Sequence, residues 1–133
     1  MKEGLFQENI SFHYNKLLNA LYMFASPFEI QRNHCLYSPT YIGRDIYENF
    51  EDTNIDIFAD DLVESGKISR EVKEEVNIIF TNFSRAWKNI NWSTHGVSKE
   101  HFWEEQRKQA LSILEKLKEP LRIPADYEVI DGD

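Results

Sequence analysis

Glycine and proline are scarce in this chain, at five and four in 133 residues. A many-stranded sandwich or barrel needs a turn signal every ten residues or so, and that supply is missing. Only one cysteine is present, Cys35, so no internal disulfide can form. This fits a reducing compartment, with Cys35 expected as a buried, inert thiol. No apolar run approaches the length of a membrane span. The stretch from Met1 to Lys16 is interrupted by charges and amides and does not have the form of a signal peptide. A cytoplasmic location is therefore expected, and the three glycosylation sequons at Asn9, Asn82 and Asn91 read as chance matches. Basic residues are also short: 15 Lys and Arg face 23 Asp and Glu, for a net charge of −8. Nucleic-acid affinity rests on cations that release condensed counterions, so direct phosphate binding is not expected. Neither is attraction to an anionic membrane surface. A basic partner is permitted.

What the chain does hold is material for a core. Apolar residues make up 41% and aromatic residues 14%, and a chain of this length suits one domain that needs no disulfide or metal. Helical spacing recurs throughout. Ile10, Tyr14, Leu17, Leu21 and Phe24 share one face of a helix expected from about Leu5 to Ala25, which Pro27 stops. Phe28 to Tyr37 shows no clear period and reads as a connection. Ser38-Pro39 is a good start for a second helix carrying Ile42, Ile46 and Phe50 inward, with Gly43 weakening it. Thr53 or Asn54 can cap a third, with Ile55, Phe58, Ala59 and Leu62 inside and Gly66 at its C-terminal cap. Ser69 opens a fourth, whose core stripe runs Val72, Val76, Ile79, Phe80, Phe83 and Trp87. A loop from Asn89 to Val97 follows, with Trp92 expected to pack against the bundle. Ser98 is the expected cap of a fifth helix, lined by Phe102, Gln106, Ala110, Ile113 and Leu117 and closed by Pro120. Phe102 and Trp103 are adjacent, so one of them is expected at the periphery. The expectation is an all-α, single-domain bundle of about five helices over residues 1–133. It ends in a short irregular tail, 121–133, in which Tyr127, Val129 and Ile130 could dock.

Motifs that carry chemistry are missing. Neither a glycine-rich phosphate loop nor a nucleophile elbow occurs. His95 and His101 stand six apart, and His34 merely adjoins Cys35, which is no established ligand spacing. No Glu-x-x-His falls on a helix, and no glycine turn of a calcium loop is present. No catalytic residue, cofactor or metal is expected. Catalytic carboxylate pairs are set by space rather than by sequence, so a small helical enzyme stays open as an alternative, as does a general adaptor.

Charge is distributed unevenly. From Arg44 to Glu64 eight acids face one base, a net charge of −7, which leaves −1 for the rest of the chain. Asp56, Asp60 and Glu64 are four apart, and each such pair repels by a few tenths of a kcal/mol. Asp60, Asp61 and Glu64 also lie toward the negative end of their helix. Three readings of the window stand: a solvated face, a site for a basic protein, or a divalent-cation site. The candidate partner-binding residues are Asp45, Glu48, Asp52, Asp56, Asp60, Asp61 and Glu64.

One resemblance adds to this. It rests on the segment Asp60-Asp61-Leu62-Val63-Glu64-Ser65-Gly66-Lys67-Ile68-Ser69, followed by a helix ending near Trp87. It rests also on Asn91-Trp92-Ser93-Thr94 preceding Phe102-Trp103 and the run Arg107 to Leu117. Over roughly residues 55 to 117, about half the chain, this resembles the small helical immunity proteins that protect bacteria from toxins of contact-dependent growth inhibition and related systems. The resemblance implies stoichiometric inhibition: the protein would bind a cognate toxin domain, often a nuclease with a basic groove, and block its active site. It carries over no residue set, and the seven acids come from charge placement alone.

Overall fold

The longest helix, α1 (Lys2–Ala25), is buried on every side from Leu17 to its end. All ten residues from Leu17 to Ser26 are withdrawn from solvent, Asn19 and Ser26 among them. A helix apolar all round must lie inside a core rather than on its surface. In the computed structural model, which describes residues 2–34, 42–53 and 55–124, six further helices follow. They are α2 (Phe28–His34), α3 (Ile42–Glu51), α4 (Ile55–Glu64), α5 (Arg70–Ala86), α6 (Thr94–Lys99) and α7 (His101–Lys116). No strand occurs among the described residues. α7 runs along α1, while α3 and α4 also pack on α1 and α5 joins α7 to α4. The protein is an all-α fold whose buried side chains form one cluster around α1.

The five expected helices are present, and two short ones add to them. α2 corrects the reading of Phe28 to Tyr37 as a connection. Its cause is tertiary: buried Gln31 donates from Nε2 to the Met23 carbonyl at 2.9 Å, satisfying a carbonyl in the last turn of α1 that has no helical partner. Arg107 of α7 donates to the Ser26 carbonyl at 3.2 Å in the same place. α6 corrects the second expectation. Ser93 caps α6, its hydroxyl accepting from the Gly96 N–H, so part of the expected loop is helical. Ser98, the expected cap of the last helix, instead donates to the His95 carbonyl. Glu100 stands at the N-cap of α7 without a side-chain cap.

Local signals elsewhere behave as their chemistry dictates. Ser69 Oγ accepts from the Val72 N–H at 3.1 Å and opens α5. Gly66 has φ +81, a left-handed residue that lets Lys67 donate back to the Leu62 carbonyl at the end of α4. Thr53, one of the two expected caps of α4, instead donates its hydroxyl to the Phe50 carbonyl and so closes α3. The Ser38-Pro39 start, the Cys35 thiol, Asn54 and the docking of Tyr127, Val129 and Ile130 lie outside the described residues.

α5 and α7 are held together by polar contacts over an apolar seam. Lys116 Nζ lies 3.0 Å from Glu71 and 2.7 Å from Glu75, which raises the lysine above its ordinary range. Asn82 donates to Gln106 at 3.3 Å. These contacts leave the opposite flank of α5 turned toward α3 and α4.

Candidate functional site: the surface of α3 and α4

Helical geometry divides α3 cleanly. Ile42, Ile46, Tyr47 and Phe50 point into the core. Asp45, Glu48 and Asp52, spaced three and four apart, follow the opposite side. Glu48 and Asp52 are exposed, whereas Asp45 is half-buried. On α4, Ile55, Ala59 and Leu62 are buried, and the acids flank them. Asp60 turns toward α5, where Lys73 Nζ reaches its carboxylate at 2.5 Å. That hydrogen bond and charge hold the Asp60 carboxyl below its ordinary range. Asp61 turns toward α1, close enough for its charge to act on His13. Glu64 is exposed at the end of α4, and the Asp56 side chain is outside the described set.

The seven acids are therefore not one patch. Asp45, Glu48 and Asp52 share a face of α3, while Asp60 and Asp61 diverge to opposite flanks of α4. Asp60 has an internal partner. Between the flanks Ile57, 66% exposed, stands on the outer side of α4.

A feature absent from the sequence reading adjoins the α3 face. Aromatic rings run without interruption from the core to the surface between α3 and α5. Phe24 meets Phe50 at 5.3 Å, Phe50 meets Phe80 at 4.4 Å, and Tyr47 stacks on Phe83 at 4.3 Å. Tyr47 then meets Trp87 at 5.7 Å, and Trp87 meets Trp92 at 4.9 Å. Trp92 continues to the buried Trp103 at 5.9 Å. Trp92 is half-buried against the bundle, and of the adjacent pair Phe102 is the more peripheral.

Trp87 requires a correction. Expected on the core stripe, it is 43% exposed. The residue is the C-cap of α5, one place beyond the last helical turn, where rings cover it on one side only. The Arg44 guanidinium lies 5.8 Å from the Trp87 ring and 5.9 Å from that of Trp92, within cation–π range of both.

Beside this seam an open groove of about 540 Å³ separates α3 from α5, lined by Tyr47, Glu51, Asn77, Phe80 and Thr81. Asn77, Phe80 and Trp87 follow one flank of α5, so groove and exposed tryptophan belong to one surface. A second depression of about 340 Å³ lies at the junction of α5 and α7, near His101. There His101 Nε2 is 2.8 Å from Glu105.

His13 stacks on Phe58 with ring centres 3.5 Å apart, and its Nδ1 is buried without a hydrogen-bond partner. Burial lowers its pKa, Lys16 adds to the effect, and Asp61 opposes both. Among the described residues no three His, Cys, Asp or Glu side chains are grouped to hold a metal ion. No helix among them is long and apolar enough to cross a membrane. No protein-family model, curated protein or solved structure matches the chain.

Proposed function

We propose that this chain is a cytoplasmic binding protein that neutralises a cognate toxin by occupying a basic surface of it, the role the resemblance implied. The observation that supports the reading best is a juxtaposition on α3. Arg44 lies 5.8 Å from the exposed Trp87 ring, and the exposed acid Glu48 stands one helical turn further along the same face of α3. Binding energy at protein interfaces concentrates in Trp, Tyr and Arg held on well-packed supports. Trp87 and Arg44 rest on such a support, the aromatic seam. The surrounding acids serve a different purpose: they steer a basic partner into encounter and select against wrong ones. Asp60, already satisfied by Lys73, contributes least to either.

A small acidic protein of this kind inhibits by covering, so the expected complex is one to one. The test is co-expression with a candidate toxin domain from the same genome. Restored growth together with a stoichiometric complex that loses affinity on Trp87→Ala supports the reading. Rescue without a complex, or a complex indifferent to Trp87 and to salt, overturns it.

A further inference from the structure

We propose that the groove between α3 and α5 receives an arginine side chain supplied by the partner protein. This rests on the binding role just proposed and names what the partner must present.

The walls carry the chemistry. Half-buried Phe80 offers aromatic surface, and Tyr47, its ring centre 6.4 Å away and nearly perpendicular, forms the buried floor with only 7% of its surface open. Glu51 stands at the rim, and Asn77 and Thr81 add side-chain oxygens that can accept hydrogen bonds. A planar guanidinium uses all three: it stacks on a ring, forms a forked pair with a carboxylate, and has donors left for neighbouring oxygens. Glu51 is the last residue of α3, so the negative end of that helix dipole also favours a cation there. An aliphatic side chain in the groove would make no use of Glu51, Asn77 or Thr81, which would stay hydrated at its rim. An anion would meet Glu51 directly.

The chain itself supplies a precedent. Two turns earlier on α3, Arg44 places its own guanidinium against Trp87 and Trp92. Seven residues of helix is about 10 Å. The groove thus continues a seam that already accommodates this group.

The experiment uses a capped Gly-Arg-Gly peptide, with lysine and citrulline counterparts, titrated into the full chain and followed by NMR. Arginine is expected to give saturable shifts at the Tyr47 and Phe80 rings and at the Asn77 and Thr81 amides. Citrulline, equal in shape but uncharged, should bind about tenfold more weakly, and so should arginine with Glu51→Gln. Thr81→Lys, which brings a cation into the groove from the exposed flank of α5, should abolish the response. An unchanged amide spectrum elsewhere certifies the fold of each variant. Equal responses to citrulline or lysine overturn the proposal, as does silence at the groove or shifts confined to the vicinity of Glu48 and Glu64. The peptide needs no toxin, so the two proposals fail separately. A silent groove with salt-sensitive toxin binding removes only the arginine, and an arginine response without toxin binding removes only the neutralising role.

Discussion

Lys73 of α5 reaches across to Asp60 of α4 at 2.5 Å, taking one acid out of the charged window and tying the two helices together. Loss of the lysine should release the carboxyl. With Lys73→Met, the Asp60 titration followed by NMR moves up toward its ordinary value of 3.8. Because the folded-state value is depressed, the contribution to stability is present above that ordinary value. It disappears as pH falls through the folded one. Wild type and variant should therefore converge in acid, and an Asp60 titration unmoved by the substitution would show that the pair does not form in solution.

His13 gives a pH dependence of the same sign in a higher pH window. Its folded pKa is lowered from 6.5, so the unfolded chain binds the proton more readily. The neutral ring stacked on Phe58 contributes fully above pH 6.5, and that contribution is lost as pH falls below it. Urea denaturation at pH 7.5 and pH 5.0 should show the wild type losing more stability than His13→Phe. Equal losses would mean that His13 titrates as an exposed histidine does.

Gly43 lies where α3 passes closest to Trp103. A Cβ there would stand 2.6 Å from Cζ2 of that indole, and the Gly43 N–H donates to the Trp92 carbonyl at 2.8 Å. Alanine improves helix propensity by about 1 kcal/mol, but overpacking a core costs about 1–3 kcal/mol. Gly43→Ala should therefore lower the urea midpoint, with a change in tryptophan fluorescence from Trp92 and Trp103. A raised midpoint would show that the indole yields freely.

At the end of α7, Lys118 adopts φ 59, with Glu119 donating back to the Leu114 carbonyl. A side chain in this left-handed conformation costs roughly 1–2 kcal/mol, which glycine avoids. Lys118→Gly should raise stability by about 1 kcal/mol after glycine's greater freedom in the unfolded chain is offset. A destabilised variant would show that the lysine side chain makes a contact worth more than the strain.

Much of this architecture is legible in one dimension because α5 and α7 keep one buried stripe, and because Ser69 and Gly66 act through their immediate neighbours. α2 is different. Its buried Gln31 is explained by α1 carbonyls that only the fold brings near. Ser93 is a different case, because its support is local and it caps α6, a helix the periodicity did not indicate. Asn91 Oδ1 accepts from the Ser93 hydroxyl at 2.6 Å and orders the turn before α6. Charge placement pointed to α3 and α4, yet spacing alone could not tell that Asp60 meets Lys73 or that Asp61 faces His13. The groove draws on Glu51 and Thr81, thirty positions apart on different helices, and no periodicity signals it. Trp87 was misplaced because helical spacing in the sequence continues through a residue at which α5 itself has already ended.

The most direct measurement is the association rate of the chain with the candidate toxin domain that the proposal requires, by stopped flow across a range of salt. It compares the wild type with Glu48→Gln/Glu64→Gln. A rate that falls steeply with salt, with a lower low-salt rate and a shallower slope in the variant, is the result that acidic steering demands. Identical rates and slopes for both proteins would contradict it.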